Sequence, residues 1–207
     1  MNSEDLTDIL IEALEVFVNH IIYVRGLYPE QIFKKRRVYN VPVYVSIFPS
    51  LNSYILNVLK AARSLQQQGE LECVLLQFYH DEVPLNECYK FDIKQLQQFI
   101  DVPEREEAEL PMLHDRFLID FEQELRSSLY KLAERLKPLE KLPKGAKFKV
   151  SLNTTQEAFV KFSHNPYYQD FPWLCDHLKL EQEKRVISLL PLTHLYSIGL
   201  ILNLEIF

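Results

Sequence analysis

The side chains that could do chemistry are scattered along this chain and form no recognised catalytic or metal-binding pattern. There is no H-E-x-x-H motif and no paired ligand spacing on a helix, as a zinc site would require. No G-x-S-x-G turn occurs, and four isolated glycines cannot form a phosphate-binding loop. The six histidines are His20, His80, His114, His164, His177 and His194. The pattern predicts that the chain is not an enzyme and holds neither metal nor cofactor.

The cysteines and the N-terminus indicate an intracellular protein. Cys73, Cys88 and Cys175 are odd in number and lack C-x-x-C spacing, which is typical of reduced thiols. The first five residues end in Glu4 and Asp5, whereas a secretory signal begins with basic residues. No apolar run reaches the roughly 20 residues of a membrane helix. We therefore expect a soluble protein with no membrane partner.

The length and net charge of the chain further restrict the kind of protein it can be. The 207 residues suit a single domain spanning 1–207, and 47% hydrophobic residues fit a packed core. The net charge of −6 argues against direct, sequence-specific nucleic-acid binding, because such proteins usually neutralise phosphates with a basic surface. Lys34 to Arg37 form a compact cationic block that permits three interpretations: a solvated turn, a nuclear-import patch or a protein-docking patch.

Hydrophobic periodicity predicts an α+β fold. Helical spacing predicts three long helices: one from Ser3 to Gly26, one from Pro49 to Gly69, and one from Leu113 to Pro138. Alternation and β-branched residues predict strands at 41–47, 71–79, 87–93, 148–152, 186–192 and 198–207. We expect a solvated connection at 94–111 and irregular structure at 154–185.

Two aromatic residues stand out as candidate binding anchors. Tyr54 lies on the apolar stripe of the second predicted helix, and its type and position fit either a core residue or a contact residue. Trp173, the only tryptophan, follows Phe171-Pro172 in the irregular stretch. A lone tryptophan there fits either a core residue or the anchor of a peptide groove.

The chain resembles the HORMA-domain family, and within it the noncatalytic subunits of translesion DNA polymerase zeta. The resemblance covers nearly the whole chain and is strongest over 9–60. It is carried by Tyr23-Val24-Arg25 with Tyr28-Pro29, Ile32-Phe33-x-Lys35-Arg36, Tyr39-Asn40-Val41-Pro42-Val43, Pro49-x-Leu51-Asn52-x-Tyr54-Ile55 and Asp170-Phe171-Pro172-Trp173.

The resemblance implies a HORMA fold, with three main helices packed on a mainly antiparallel sheet. Residues 1–153 would form the core and 154–207 a movable safety belt. The implied function is that of a noncatalytic adaptor, which captures an extended, proline-containing peptide of the polymerase's catalytic subunit beneath the belt. That role supports translesion synthesis and DNA damage tolerance in the nucleus, with a cytoplasmic pool. The alternative is a checkpoint-type HORMA adaptor that binds cell-cycle regulators through the same groove.

The resemblance also assigns residues to interfaces. Tyr54 and Trp173 would line the groove for the peptide. Leu189, Asn203 and Glu205 would contact a second partner, the Rev-type deoxycytidyl transferase scaffold, although Glu205 stands where the family typically has tyrosine. The implied dimer with another HORMA domain would use Arg126 and Lys35, next to departures from the vertebrate pattern at Gly26 and Glu30. An AAA+ ATPase that remodels the fold is a further implied partner.

Overall fold

The computed structural model describes residues 3–82, 87–93, 110–164 and 188–206. Within these ranges the chain forms helices on one side of an antiparallel sheet, and a separate two-stranded hairpin. The α+β class predicted from periodicity is confirmed.

The three predicted long helices are present as α1 (Ser3–Val24), α2 (Pro49–Gln67) and α3 (Leu110–Leu136). Gly26 follows α1 with a φ of 64°, a left-handed conformation that glycine adopts without strain. Pro49 begins α2, where its missing N–H costs no helical hydrogen bond. A short helix, α4 (Gln156–Ser163), lies in the stretch expected to be irregular, so that expectation is wrong for these residues.

The cationic block is part of a strand, which corrects the interpretation as a turn. β1 (Phe33–Val38) pairs antiparallel with β2 (Val41–Ser46), and Lys34 to Arg37 are all exposed along β1. The turn itself is Tyr39-Asn40, with φ values of 46° and 55°. Both are left-handed, as a two-residue hairpin turn with the native strand twist requires.

The main sheet has five strands in the order β5-β3-β4-β7-β6. They are β3 (Leu71–Tyr79), β4 (Glu87–Ile93), β5 (Lys147–Thr154), β6 (Ser188–Leu195) and β7 (Leu200–Ile206). All neighbouring pairs are antiparallel, which confirms the mainly antiparallel sheet. β5 and β6 are the two outer strands of this order.

The core lies between the sheet and the helices, with α1 contacting α2, α3 and β2. Alternation places Leu200, Leu202 and Leu204 of β7 on the core face, where all three are fully buried. Tyr89 and Phe91 of β4 are buried on the same side.

One buried ion pair ties α1 to the sheet. The guanidinium of Arg25 donates from Nε and Nη2 to the two carboxylate oxygens of Glu87, at 2.7 and 2.9 Å. It also donates to the carbonyl of Glu140 at 2.7 Å, and the Tyr89 hydroxyl donates to Glu87. Arg25 and Glu87 are each 8% exposed, so removing one partner would leave the other charged inside the protein.

Candidate functional site

β5 offers one edge of the main sheet. It pairs with β3 from Leu71 opposite Thr154 to Tyr79 opposite Lys147, and within the described ranges it has no other strand partner. An outer strand presents main-chain N–H and C=O groups that an added strand can satisfy. This edge is therefore a candidate site for an extended peptide.

Tyr54 reaches this edge from α2. Its ring packs edge to face on Phe148, with ring centres 5.4 Å apart and an angle of 89° between the planes. Its hydroxyl oxygen accepts a hydrogen bond from the backbone N–H of Val150 at 3.0 Å. Burial raises the pKa of the hydroxyl, and the Val150 N–H opposes that shift. Tyr54 thus packs against its neighbours and also reaches the sheet edge, so it has features of both the core residue and the contact residue that the sequence allowed.

Two further aromatic residues belong to this site, and sequence reasoning did not assign them. Phe148 lies between Tyr54 and Tyr28, and the Tyr28 ring packs on it edge to face at 6.4 Å and 83°. All three side chains are half-buried. Tyr28 belongs to the Tyr28-Pro29 motif, and Phe148 begins the alternating pattern of the strand, so signals existed. Neither signal showed that the two segments meet.

Trp173, the other predicted groove residue, lies outside the described residues, as does Cys175. Its assignment to the groove stays a prediction from the resemblance.

The three residues predicted for a second partner come together at the opposite edge. Leu189 of β6 is directly opposite Glu205 of β7 in the strand register, and Asn203 lies two residues before Glu205. The Asn203 amide donates to Asp92 of β4 at 3.3 Å, and Lys90 forms an ion pair with Asp92 at 3.0 Å. Partial burial works against the charge of Lys90, but Asp92 and Glu205 raise its pKa overall.

Lys90 and Asp92 therefore belong to the same polar surface, although sequence reasoning did not single them out. Both lie in β4 at register positions facing Asn203 and Ile201 of β7. This pairing joins residues more than a hundred positions apart, so the sequence held no local signal for it.

The two residues predicted for a dimer interface lie on neighbouring elements. Arg126 is exposed on α3 and pairs with Glu122 one turn earlier at 2.6 Å. Glu122 also accepts a hydrogen bond from Asn40 at 3.1 Å, which links α3 to the turn between β1 and β2. Lys35 is exposed on β1 of that hairpin. Their role in a dimer stays a prediction.

The part of the chain that the structure describes has neither a cluster of metal-binding side chains nor a helix able to cross a membrane. No group of three or more histidine, cysteine, aspartate or glutamate side chains there is placed to hold a metal ion. None of the helices described has the length and apolar character needed to cross a membrane.

Comparison with known sequences relates this chain to proteins with a HORMA domain. The model of the HORMA domain matches residues 7–166. The chain is 45% identical over 202 residues to DNA polymerase zeta subunit 2 of Drosophila melanogaster, covering 97% of this chain and 96% of that protein. It is 33% identical over 169 residues to the human mitotic spindle assembly checkpoint protein MAD2B, covering 82% and 75%.

Solved structures show the same fold. A chain in the crystal structure of the mitotic checkpoint complex superposes with a TM-score of 0.75 at 15% identity, covering 100% of this chain and 97% of that one. The structure of Caenorhabditis elegans HTP-2 bound to the HIM-3 closure motif gives 0.61 at 16% identity, covering 96% and 88%. At such low identities the likeness concerns the fold alone.

Proposed function

The chain belongs to the HORMA-domain family, and on that basis we propose that it is the noncatalytic adaptor subunit of DNA polymerase zeta. It captures an extended, proline-containing peptide of the catalytic subunit and thereby supports translesion synthesis and DNA damage tolerance. The family consists of noncatalytic adaptors, so the expectation that the chain is not an enzyme is confirmed. Its relatives include proteins named as subunits of DNA polymerase zeta in fly, plant and fission yeast.

The observation that carries this proposal is the aromatic edge of β5. The strand offers main-chain groups on the side away from β3, and Tyr54 of α2 lies against it through Phe148 and Val150. Main-chain pairing supplies affinity for any extended segment, whereas side-chain contacts select among segments. A proline ring packs well on flat aromatic faces, and proline favours the extended conformation that pairing requires.

The proposed safety belt, 154–207, closes over this peptide. Its described end, β6 and the residues after it, meets α3 through apolar and polar contacts: Leu192, Leu195 and Ile198 are fully buried in the core that α3 also lines. Thr193 donates to Ser128 at 2.7 Å, the Ser197 hydroxyl donates to Glu124 at 2.6 Å, and Arg135 donates to the Leu192 carbonyl at 2.6 Å. Water could replace these hydrogen bonds at small net cost, but detachment would also expose the buried apolar side chains, so reopening would need an external source of free energy.

The direct test of the partner is co-purification from nuclear extract of the native organism, with identification of bound proteins by mass spectrometry. We expect the catalytic subunit of DNA polymerase zeta in stoichiometric amount. Recovery of cell-cycle inhibitors without any polymerase subunit would contradict the proposal.

Such a result would favour the second candidate function, a checkpoint-type adaptor that binds cell-cycle regulators through the same edge. The observation in its favour is that the human and bovine relatives are named mitotic spindle assembly checkpoint proteins. Both candidates use the same fold, so the identity of the bound protein separates them.

Trp173 provides a test of the groove that is independent of the described contacts. We predict that Trp173→Ala weakens peptide binding by about 2 kcal/mol or more, as expected for loss of a large aromatic anchor. Titration calorimetry with the bound peptide measures this. Unchanged affinity in a folded variant, checked by circular dichroism, would remove Trp173 from the groove.

The remaining partners follow the same resemblance. The scaffold transferase would bind at Leu189, Asn203 and Glu205, and a second HORMA domain would bind near Arg126 and Lys35. An AAA+ ATPase would reopen the belt. We propose a nuclear location for the complex, with a cytoplasmic pool.

A further inference from the structure

The hydrogen bond between Val150 and Tyr54 identifies which backbone groups of β5 point away from the sheet. In an antiparallel strand, alternate residues direct their N–H and C=O groups to opposite edges. The Val150 N–H meets a side chain of α2 and not the β3 backbone, at an N to O distance of 3.0 Å. The outward groups of β5 are therefore those of Phe148, Val150 and Leu152.

Tyr54 consequently lies at the middle of the row of groups that an added strand would use. We propose that the Tyr54 hydroxyl is a placeholder for a peptide carbonyl: it accepts the Val150 N–H bond in the free protein and is displaced when the peptide pairs with β5. This inference rests on the proposed function and assigns Tyr54 a role in selectivity beyond that of an aromatic wall.

The surroundings of Tyr54 suit such a role. The edge-to-face contact with Phe148 orients the ring. The hydroxyl oxygen lies 3.0 Å from the Val150 nitrogen, a distance at which the carbonyl of an added strand would also accept that N–H. The residue Val150 is half-buried. A backbone N–H that is shielded from water and lacks an acceptor is costly. The hydroxyl removes that cost when no peptide is present.

The exchange has a consequence for which peptides bind. A peptide that only supplies a carbonyl replaces one hydrogen bond by another and gains little at this position. A peptide that also places an apolar group on the Tyr54 ring gains contact area that offsets the displaced bond. Exposed sheet edges tend to pair with unintended strands, and the placeholder lowers the affinity of this edge for them. It also favours a segment that has an apolar residue opposite Val150.

The test compares Tyr54→Phe, which removes only the oxygen, with the wild-type protein. The probe is the tightest binder from a set of overlapping synthetic peptides that cover the catalytic subunit of DNA polymerase zeta. We expect Tyr54→Phe to bind it roughly three- to tenfold more tightly, because no bond must be displaced. In the free protein, the Val150 amide should exchange faster with deuterium in the variant, and the peptide should remove that difference.

Tyr130→Phe is the matched control, since it makes the same change on an exposed residue of α3. It should alter neither the affinity nor the Val150 exchange rate. Equal or weaker binding by Tyr54→Phe would overturn the placeholder while leaving the proposed function intact. Failure of the wild-type protein to bind any peptide of the set would overturn both.

Discussion

At the scale of single residues, His20 on α1 is an ionisable side chain in buried surroundings. Both of its ring nitrogens are buried without a hydrogen-bond partner among the described residues. Burial lowers the pKa of the ring to about 4, and the nearby Leu129 carbonyl of α3 only partly opposes this. The fold therefore holds His20 neutral, whereas the unfolded chain would protonate it near pH 6.5.

The sign of the resulting pH dependence follows from that difference. Above pH 6.5 both states are neutral, and His20 ionisation has no effect on stability. As the pH falls from 6.5 towards 4, only the unfolded state gains the proton, so the folded state loses stability. We predict that the wild-type protein loses about 2 kcal/mol from this source by pH 5, and that His20→Leu removes that part of the loss.

Urea unfolding of both proteins at pH 7 and pH 5 measures the effect. His164→Leu is the control, because His164 is exposed just after α4 and its replacement should leave the pH dependence as in the wild type. Parallel pH profiles for the wild type and His20→Leu would show that His20 is accessible to protons in the folded state.

At the scale of elements, the helices were predictable and the hairpin of β1 was not. The apolar stripes of α1, α2 and α3 recur at helical spacing over many residues, and tertiary packing confirms rather than overrides them. Lys34 to Arg37 have no such pattern, since all four side chains are exposed. They form a strand because Val41 to Ser46 pair with them. That pairing depends on the turn Tyr39-Asn40, which contains no glycine although both of its residues have a positive φ.

The buried Arg25–Glu87 pair joins three elements and gives a prediction at this scale. Arg25 lies just after α1, Glu87 begins β4, and the Glu140 carbonyl lies between α3 and β5. We predict that Glu87→Gln lowers the free energy of unfolding by roughly 3 kcal/mol, because the Arg25 charge is then left buried and unpaired. Thermal and urea unfolding at pH 7 measure it.

The double variant Arg25→Met with Glu87→Met should recover part of that loss, since it removes both charges and keeps apolar volume. Arg63→Ala, which breaks the exposed ion pair with Asp8, is the control and should change stability by less than about 1 kcal/mol. If Glu87→Gln lowered the free energy of unfolding by no more than the control does, water would have to reach the Arg25–Glu87 pair.

At the scale of the whole molecule, the strand order could not be derived from periodicity. β4 lies between β3 and β7, and β5 lies on the far side of β3, so two of the four neighbouring pairs join strands that are distant in sequence. Alternation showed where strands are, but pairing between distant strands depends on the folded core. The resemblance to a known family supplied the fold where the pattern alone gave only its class.

The same reason limits what the sequence revealed about the site. Tyr54 was identified through the family motif, but its partner Val150 lies 96 residues later, and Phe148 and Tyr28 join it only in the folded chain. On the opposite edge, Lys90 and Asp92 join Asn203 through β4 and β7 pairing. Sequence reasoning identifies side chains of a suitable type, whereas tertiary structure decides which of them meet.

The central claim is that a partner peptide adds to β5 by main-chain pairing, and the peptide backbone can test it without altering the protein. In an extended strand, alternate amides would face β5 and the intervening amides would face away. Each peptide variant carries one N-methyl group, which removes a single main-chain donor, and fluorescence anisotropy measures its affinity for the wild-type chain. As the single methyl group is moved along the peptide, we predict that the affinity falls about tenfold or more when it is placed on every second amide. On the amides between them, the affinity should change by less than about threefold. An equal effect at consecutive amides would contradict strand addition at β5.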